Sequence, residues 1–373
     1  MKENVIDYFL ELVKIDSESK NEKAVAEKLI EDLEALGAEI TIDDANKHTG
    51  GNVGNVYAYF PGNIKKDPIL FCAHMDTVVP GNNVNPIIKE DRIVTDGTTV
   101  LGADDKSGIA EIIFGIKAIL ESGKDHAPIE ALFTISEEIG LLGAKYLDYS
   151  LIKSKIGYAL DSHQVGSLTI GAPSQNSLEF VIHGKKAHAG VAPETGINAI
   201  QIAANAISKM PMGRIDKETT CSIGIISGGS ATNIVPDIVT IKGEVRSHNP
   251  EKLDEITQRM VIAIEETVSE YSLGDFKATA DIQVKTEYQS FRLSEDHPVV
   301  QLSNLACTKI NIPSIANIGG GGSDVNIFNK NGLEMAICGS GMENVHTVDE
   351  YILLDSLTTG AKWVEAVIEE YSK

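Results

Sequence analysis

Four short apolar runs in this chain each lead into a residue with a nitrogen or oxygen donor. Ile69-Leu70-Phe71-Cys72-Ala73 runs into His74, with Asp76 two residues further on. Ile129 to Ile135 is followed by Glu137-Glu138, Ile156 to Leu160 by Asp161, and Glu334 to Cys338 by a loop carrying His346. Apolar runs of this length between turn signals read as buried strands. Strands that alternate with helices build a parallel or mixed sheet, and open sheets of that kind gather their ligands beyond the carboxyl ends of the strands. Asp104, in Gly102-Ala103-Asp104-Asp105-Lys106, stands just before a helical pattern with apolar Ile109, Ile112, Ile113, Ile116, Ile119 and Leu120. One surface of one sheet is therefore expected to collect His74, Asp104, Glu137, Glu138, Asp161 and His346. Two imidazoles with several carboxylates form a mixed donor set that suits zinc or a related divalent ion, often as a bridged pair. A metal pair can activate a water and polarise a carbonyl together, as amide hydrolysis requires. Taken singly, a Glu-Glu pair reads as a solvated element end and an Asp-Asp-Lys as a turn. Their recurrence after successive strands is what carries weight.

At 373 residues the chain is long enough for two domains and a large core. Its 32 basic and 54 acidic residues leave a net charge of −22. That charge repels nucleic-acid backbones and anionic membrane surfaces, so neither is an expected partner, and nucleases and phosphatases with paired metals become poor candidates. The opening Met1-Lys2-Glu3-Asn4-Val5-Ile6-Asp7 has acids inside what would be the apolar segment and reads as no signal peptide. No apolar run is long enough to span a membrane. Cys72, Cys221, Cys307 and Cys338 are scattered, with no Cys-x-x-Cys pair. They are expected to be buried free thiols in a reducing, cytoplasmic setting.

Amphipathic helices are expected over Asn4 to Ile15 and over Asn21 to Leu36, the second stopping at Gly37. Strands and helices then alternate to about Gly171. After Ala172-Pro173 the order changes: strand Leu178 to His183, helix Pro193 to Met210, strands Thr220 to Ile226 and Ile238 to Arg246, helix Pro250 to Tyr271, strand Ala278 to Glu287. That β-α-β-β-α-β order favours a ferredoxin-like α+β unit. It reads as an insertion, because strand-helix alternation resumes near His297-Pro298. The expected division is a first catalytic part over 1–173, an inserted lid over 174–287 and a second catalytic part over 288–373.

With these motifs in place, the chain resembles the co-catalytic zinc exopeptidases, the family of carboxypeptidase G, aminoacylase and succinyl-diaminopimelate desuccinylase, above all their peptidase T-like tripeptidase branch. Ala73-His74-Met75-Asp76-Thr77, Asp96-Gly97-Thr98 to Lys106, and Ser136-Glu137-Glu138-Ile139-Gly140 carry the likeness in combination, and it spans nearly the whole chain. The resemblance implies an α/β fold, a mixed-sheet catalytic domain with an inserted ferredoxin-like lid. It implies two zinc ions per chain, with cobalt or manganese as substitutes, and Asp104 as the bridging carboxylate. His74 and Asp161 would complete one ion's set, and Glu138 and His346 the other's. Glu137 would be the general base, taking a proton from the attacking water and passing it to the leaving amine. Asp76 would accept the other N–H of His74 and fix its tautomer.

The same resemblance singles out three lid residues as substrate contacts. His188, in Gly184-Lys185-Lys186-Ala187-His188-Ala189-Gly190, reads on its own as a loop histidine; in the family such a residue meets the reacting carbonyl oxygen, often across a dimer. Arg246 reads on its own as a solvated strand end; in relatives the matching arginine holds a substrate carboxylate, a task that suits its forked donors. Asn233 matches a lid position near substrate. Gly319 to Gly322 lacks the Lys-Ser/Thr of a nucleotide loop and reads as a substrate-backbone loop, with Ser323 or Asp324 capping the next helix. His163 is not expected to be a ligand. The chain is shorter than typical tripeptidases, with trimmed loops. Short peptides are the implied substrate, cut after the N-terminal residue, and a homodimer through the lid is the implied assembly. An N-acyl-amino-acid deacylase or desuccinylase using the same centre is the nearest rival; Asp161, rather than Glu, favours the aminopeptidase. A non-catalytic metal-binding protein is the rival from another class, and the intact Glu137 speaks against it.

Overall fold

The computed structural model describes residues 4–373; Met1–Glu3, the start of the segment read above as no signal peptide, lie outside them. Two compact units are separable. The first runs to Gly171 and takes up again over Arg292–Gly319 and Ser323–Lys373; the second is Ala172–Phe291 with Gly320–Gly322.

The first unit is built on an eight-stranded mixed sheet. At its centre Ile129–Thr134, Ile69–His74, Ile156–Ser162 and Glu334–Gly339 lie side by side and mutually parallel, in that order. Both faces of these strands are covered, so they read as continuous apolar runs rather than as alternating ones. Every residue of Ile69–His74 and of Ile129–Thr134 is buried. Antiparallel strands Glu39–Ile42 and Val56–Phe60 extend one side, and Ser167–Thr169 with Ile315–Asn317 the other. Among the covering helices, Ala103–Ser122 and Leu354–Tyr371 approach closely at Gly115, where a Cβ would lie 2.5 Å from Val364 Cβ. Trp363 and Tyr158, both fully buried, meet edge-on with ring centroids 5.0 Å apart. Burying such a side chain contributes roughly 1.5–3 kcal/mol. Because the four central strands are parallel, their carboxyl ends share one edge, where His74 and Asp161 stand and the Glu137-Glu138 turn begins.

The second unit is an antiparallel five-stranded sheet ordered Gly213–Arg214, Thr219–Gly228, Ile238–Ser247, Ser174–His183, Thr279–Tyr288. Helices Ala199–Lys209 and Pro250–Ser269 pack on it. Strand Ser174–His183 alternates buried and half-buried without a break, the pattern of a sheet covered on one face. Phe180, Ile182, Val239 and Ile241 meet Ile202, Ala203, Met260 and Ile264 in one apolar core. The element order is the expected β-α-β-β-α-β, with one correction. The helix read over Pro193 to Met210 is a 3-10 turn, Pro193–Thr195, followed by a helix that begins only at Ala199. Between them Ile197 exchanges backbone hydrogen bonds with Lys185 (2.8 and 2.9 Å). A Cβ on Gly196 would lie 2.8 Å from Ala187 Cβ, so the chain passes too close to its neighbour to stay helical. Asn198 then caps the true start through Gln201 N.

All four cysteines are buried and free. Cys72, Cys221 and Cys338 lie in strands and Cys307 in a helix. No helix among the described residues is long and apolar enough to cross a membrane.

Candidate metal centre

His74, Asp76, Asp104, Glu137, Glu138, Asp161 and His346 all belong to the first unit. His74 ends its strand and is buried, and its Nε2 lies 2.9 Å from Asp104 Oδ1. The other carboxylate oxygen of Asp104 lies 3.2 Å from His346 Nε2, which is also 3.0 Å from Glu138 Oε1. Asp104 thus faces an imidazole on each side, one per oxygen. His74, Asp104 and Glu138 bring donor atoms within 4.8 Å of one another, and so do His74, Asp105 and Asp161. Two donors bound to one tetrahedral zinc at ~2.0–2.1 Å stand roughly 3.3 Å apart, so contacts of this length fit a shared ion.

The electrostatics agree with a site built for positive charge. Burial pushes the Glu137 and Asp161 carboxyls well above the usual carboxylate range, and neighbouring carboxylates add to it, Asp161 for Glu137 and Asp104 for Asp161. Burial also pushes Asp104 up, yet the contacts to His346 and His74 outweigh it and hold that carboxyl below its usual range. Hydrogen bonds to Asp104 and then Glu138 push the His346 imidazolium up to about 10. Protons and imidazolium charge here balance an excess of carboxylates, a task that a pair of dications performs in a metal site.

The local backbone explains how each donor is aimed. Asp104 (φ −82°, ψ 101°) and Asp105 (φ −122°, ψ 33°) are not helical, so both acids sit in the entry turn of the helix. Gly102, which begins that turn, has φ +74° and a Cβ position 3.2 Å from Thr77 Cγ2, so a side chain there would be strained. Ser136 (φ +52°) and His346 (φ +63°) are non-glycine residues in the left-handed region, a conformation that costs energy and persists where surroundings enforce it.

Asp76 occupies the expected place with a different set of bonds. The Nδ1–H of His74 donates to the backbone carbonyl of Asp76 at 2.9 Å, while the carboxylate lies 3.5 Å away. That carboxylate instead accepts from Glu137 N (2.9 Å), Glu138 N (3.2 Å) and Ser19 Oγ (2.7 Å). The carbonyl thus fixes the imidazole's tautomer, and the carboxylate holds the backbone of the two glutamates. The Nδ1–H of His163 donates to Met342 O (3.0 Å), and the residue is outside these donor sets.

The lid residues lie in the second unit. His188 pairs with Ile234 on a short ribbon, and Ala189 N donates to Asn233 O at 2.9 Å, so His188 and Asn233 are neighbours. Arg246 stands apart from them on strand Ile238–Ser247, where Glu244 grips it through Nε (2.9 Å) and Nη2 (3.1 Å). A Cβ on Gly321 would lie 3.9 Å from Arg246 Nη1, and one on Gly322 would meet the Tyr288 ring at 2.3 Å. The glycine run therefore lies against Tyr288 and the arginine's remaining donors. Ser323 caps Asp324–Lys330 in a reciprocal box with Asn326.

Residues 170–272 match a family model described as a peptidase dimerisation domain, and residues 55–183 match peptidase family M28. The chain is 43% identical to the aminopeptidase PepT of Bacillus cereus, with a TM-score of 0.90, over 100% of this chain and 99% of that one. The chain belongs to the M20 peptidases, in their peptidase T branch. A tripeptidase of Staphylococcus aureus is 39% identical with a TM-score of 0.92, covering 98% and 97% of the two chains. Peptidase T of Enterococcus faecalis is 27% identical over 429 aligned positions, spanning all of both chains. Those 429 positions exceed the 373 residues here, so this M20 chain lacks insertions that the longer relative carries.

Sequence patterns passed over several acids that build the centre of this M20 chain. Glu22 Oε1 accepts from Ser136 N (3.0 Å), Ser136 Oγ (3.1 Å) and Lys20 N (2.8 Å), pinning the residue just before the two glutamates. Asp105 accepts from His74 N and Gly108 N, both at 3.2 Å, and so ties the strand end to the helix entry. Glu350 accepts from Gly102 N and Asp104 N. Asp105 was visible as the second acid of Asp104-Asp105. Glu22 and Glu350 follow no apolar run, and the amides of Ser136 and Asp104 that they hold are more than a hundred residues away in sequence.

Proposed function

We propose that this chain is a di-zinc aminopeptidase that removes the N-terminal residue from short peptides, tripeptides foremost. The observation that carries the reading is Asp104 with an imidazole at each carboxylate oxygen and Glu138 alongside, in a chain 43% identical to an aminopeptidase PepT over its full length. Asp104 would be shared by two zinc ions, with His74 and Asp161 completing one set and Glu138 and His346 the other. When bound, such an ion pair polarises the scissile carbonyl and makes a water nucleophilic at neutral pH.

The protein's own groups do the rest. Glu137 is held at its backbone by Asp76. Its side chain is 9% exposed and desolvated, which raises its basicity toward that of a useful general base. It would receive the proton of the attacking water and deliver it to the leaving amine. Asp76 acts through others, by positioning His74, Glu137 and Glu138. In the lid, Arg246 would take the substrate's far carboxylate, because Glu244 occupies its Nε side and leaves Nη1 for a ligand. His188 would meet the reacting carbonyl oxygen, and Asn233, its neighbour, would contact substrate. The match to a peptidase dimerisation domain over 170–272 supports a homodimer formed through the lid.

The deacylase reading shares the centre and differs in which end of the substrate must be free. Metal analysis together with hydrolysis of unblocked tripeptides tests the proposal. Two zinc ions per chain, loss of activity on chelation and recovery on adding zinc are the expected results. Unchanged turnover after complete metal removal would overturn it.

A further inference from the structure

His346 lies in the loop between Met342–Glu343 and Tyr351–Leu353, whose strands pair Met342 with Ile352 and Glu343 with Tyr351. The loop is folded on itself: Thr347 Oγ1 donates to Asn344 O at 2.8 Å, Asp349 N to Thr347 Oγ1 at 3.2 Å, and Glu350 N to Thr347 O at 3.2 Å. His346 itself is 53% exposed, so little packing fixes where its ring points. A firm tie comes from Glu350. Its side chain is 2% exposed, and its oxygens accept from Gly102 N at 2.8 Å and Asp104 N at 2.9 Å. Those two amides belong to the entry turn that aims Asp104. A further link, Thr95 Oγ1 to Val348 O, is long at 3.5 Å.

We infer that Glu350 is a positioning residue for the metal pair, fastening the His346 loop to the Asp104 turn so that these two donors keep one spacing. The inference rests on the two-metal reading above and adds the part that sets the geometry of the Glu138–His346 side. Metal–ligand distances must hold to within about 0.2 Å, a tolerance that an exposed loop does not meet by itself. A carboxylate serves here because each of its oxygens accepts from one amide at once. The carboxamide of a glutamine would set an N–H against an N–H at one of the two.

The test is E350Q in the full chain, measured by zinc competition against a chromophoric chelator. Melting of the zinc-free protein and turnover against added zinc are followed in parallel. The second zinc should bind about 10–100-fold more weakly, the usual cost of losing a group that orients a ligand. Turnover should recover when zinc is raised above the new dissociation constant, with the Michaelis constant for an unblocked tripeptide unchanged. Equal zinc affinity in E350Q and wild type, with or without a lowered zinc-free melting temperature, would overturn the inference. If E350Q does not fold, E350D keeps the charge but cannot reach both amides. It must also lose zinc affinity, and equal affinity there would be just as fatal. A wild type that binds fewer than two zinc ions defeats the metal reading underneath. A wild type that binds two, beside a variant of equal affinity, defeats this inference alone.

Discussion

Glu111 offers a sharp test of how the interior behind the centre is held. It lies on helix Ala103–Ser122, fully buried, and neither carboxyl oxygen has a hydrogen-bond partner among the described residues. A Cβ on Gly360 would come within 2.1 Å of its carboxyl carbon, so the terminal helix closes directly over it. Burial, and then the charge of Asp105, pushes this carboxyl well above its ordinary value of 4.5. The sign follows from proton counting. A raised pKa means that the folded chain keeps a proton which the unfolded chain releases above pH 4.5. Its contribution is therefore fully present below that pH and is lost as pH rises toward the folded-state pKa. The slope is at most about 1.4 kcal/mol per pH unit. Glu111→Gln keeps the shape and removes the titration. In urea unfolding of zinc-free protein at pH 5, 6 and 7, the glutamine variant should gain on wild type by up to ~1.4 kcal/mol at each step, then hold steady. Other buried acids titrate in both proteins and cancel in the difference. A difference that does not change with pH, or that grows in favour of wild type, would refute the reasoning, because it would mean a charged and stabilised Glu111.

Two further outcomes separate roles within the site. Glu137→Gln should retain both metals and lower turnover by ~10²–10⁴, the contribution of a general base, whereas Glu138→Gln should show its loss first in zinc content by metal analysis; the reverse pattern would exchange their roles. Arg246→Ala should raise the Michaelis constant for free-acid peptides by about 10–100-fold, the worth of a hydrogen-bonded charge pair, and do so far less for the C-terminal amides; equal effects on both would remove Arg246 from the carboxylate's binding site.

The parallel core was legible because strands buried on both faces read as unbroken apolar runs, and the donors follow those runs. His74, Asp161 and the Glu137-Glu138 pair sit at strand ends for that reason. Asp104 was legible only in company: its Asp-Asp-Lys alone reads as a turn, and the donors that follow successive strands gave it weight. What the sequence concealed was the support. Asp76 stands at the right spacing to bond the His74 ring, yet its carboxylate is better placed for the amides of Glu137 and Glu138, and its carbonyl takes the imidazole. Glu22 and Glu350 act through backbone amides distant in sequence, and no local period announces such bonds. The helix start at Ala199 was missed because Pro193 is a good opening signal, while the close passage of Gly196 over Ala187 is a tertiary fact.

The claim that a free amino terminus is read beside a zinc pair is tested most directly with one peptide in two forms. Zinc-loaded protein is given an unblocked tripeptide and its N-acetyl derivative side by side, and products are identified by mass. The unblocked peptide should lose its first residue, and the acetylated one should remain intact. Equal turnover of the two, or release of acetate from the blocked peptide, would contradict the aminopeptidase reading and put the deacylase in its place.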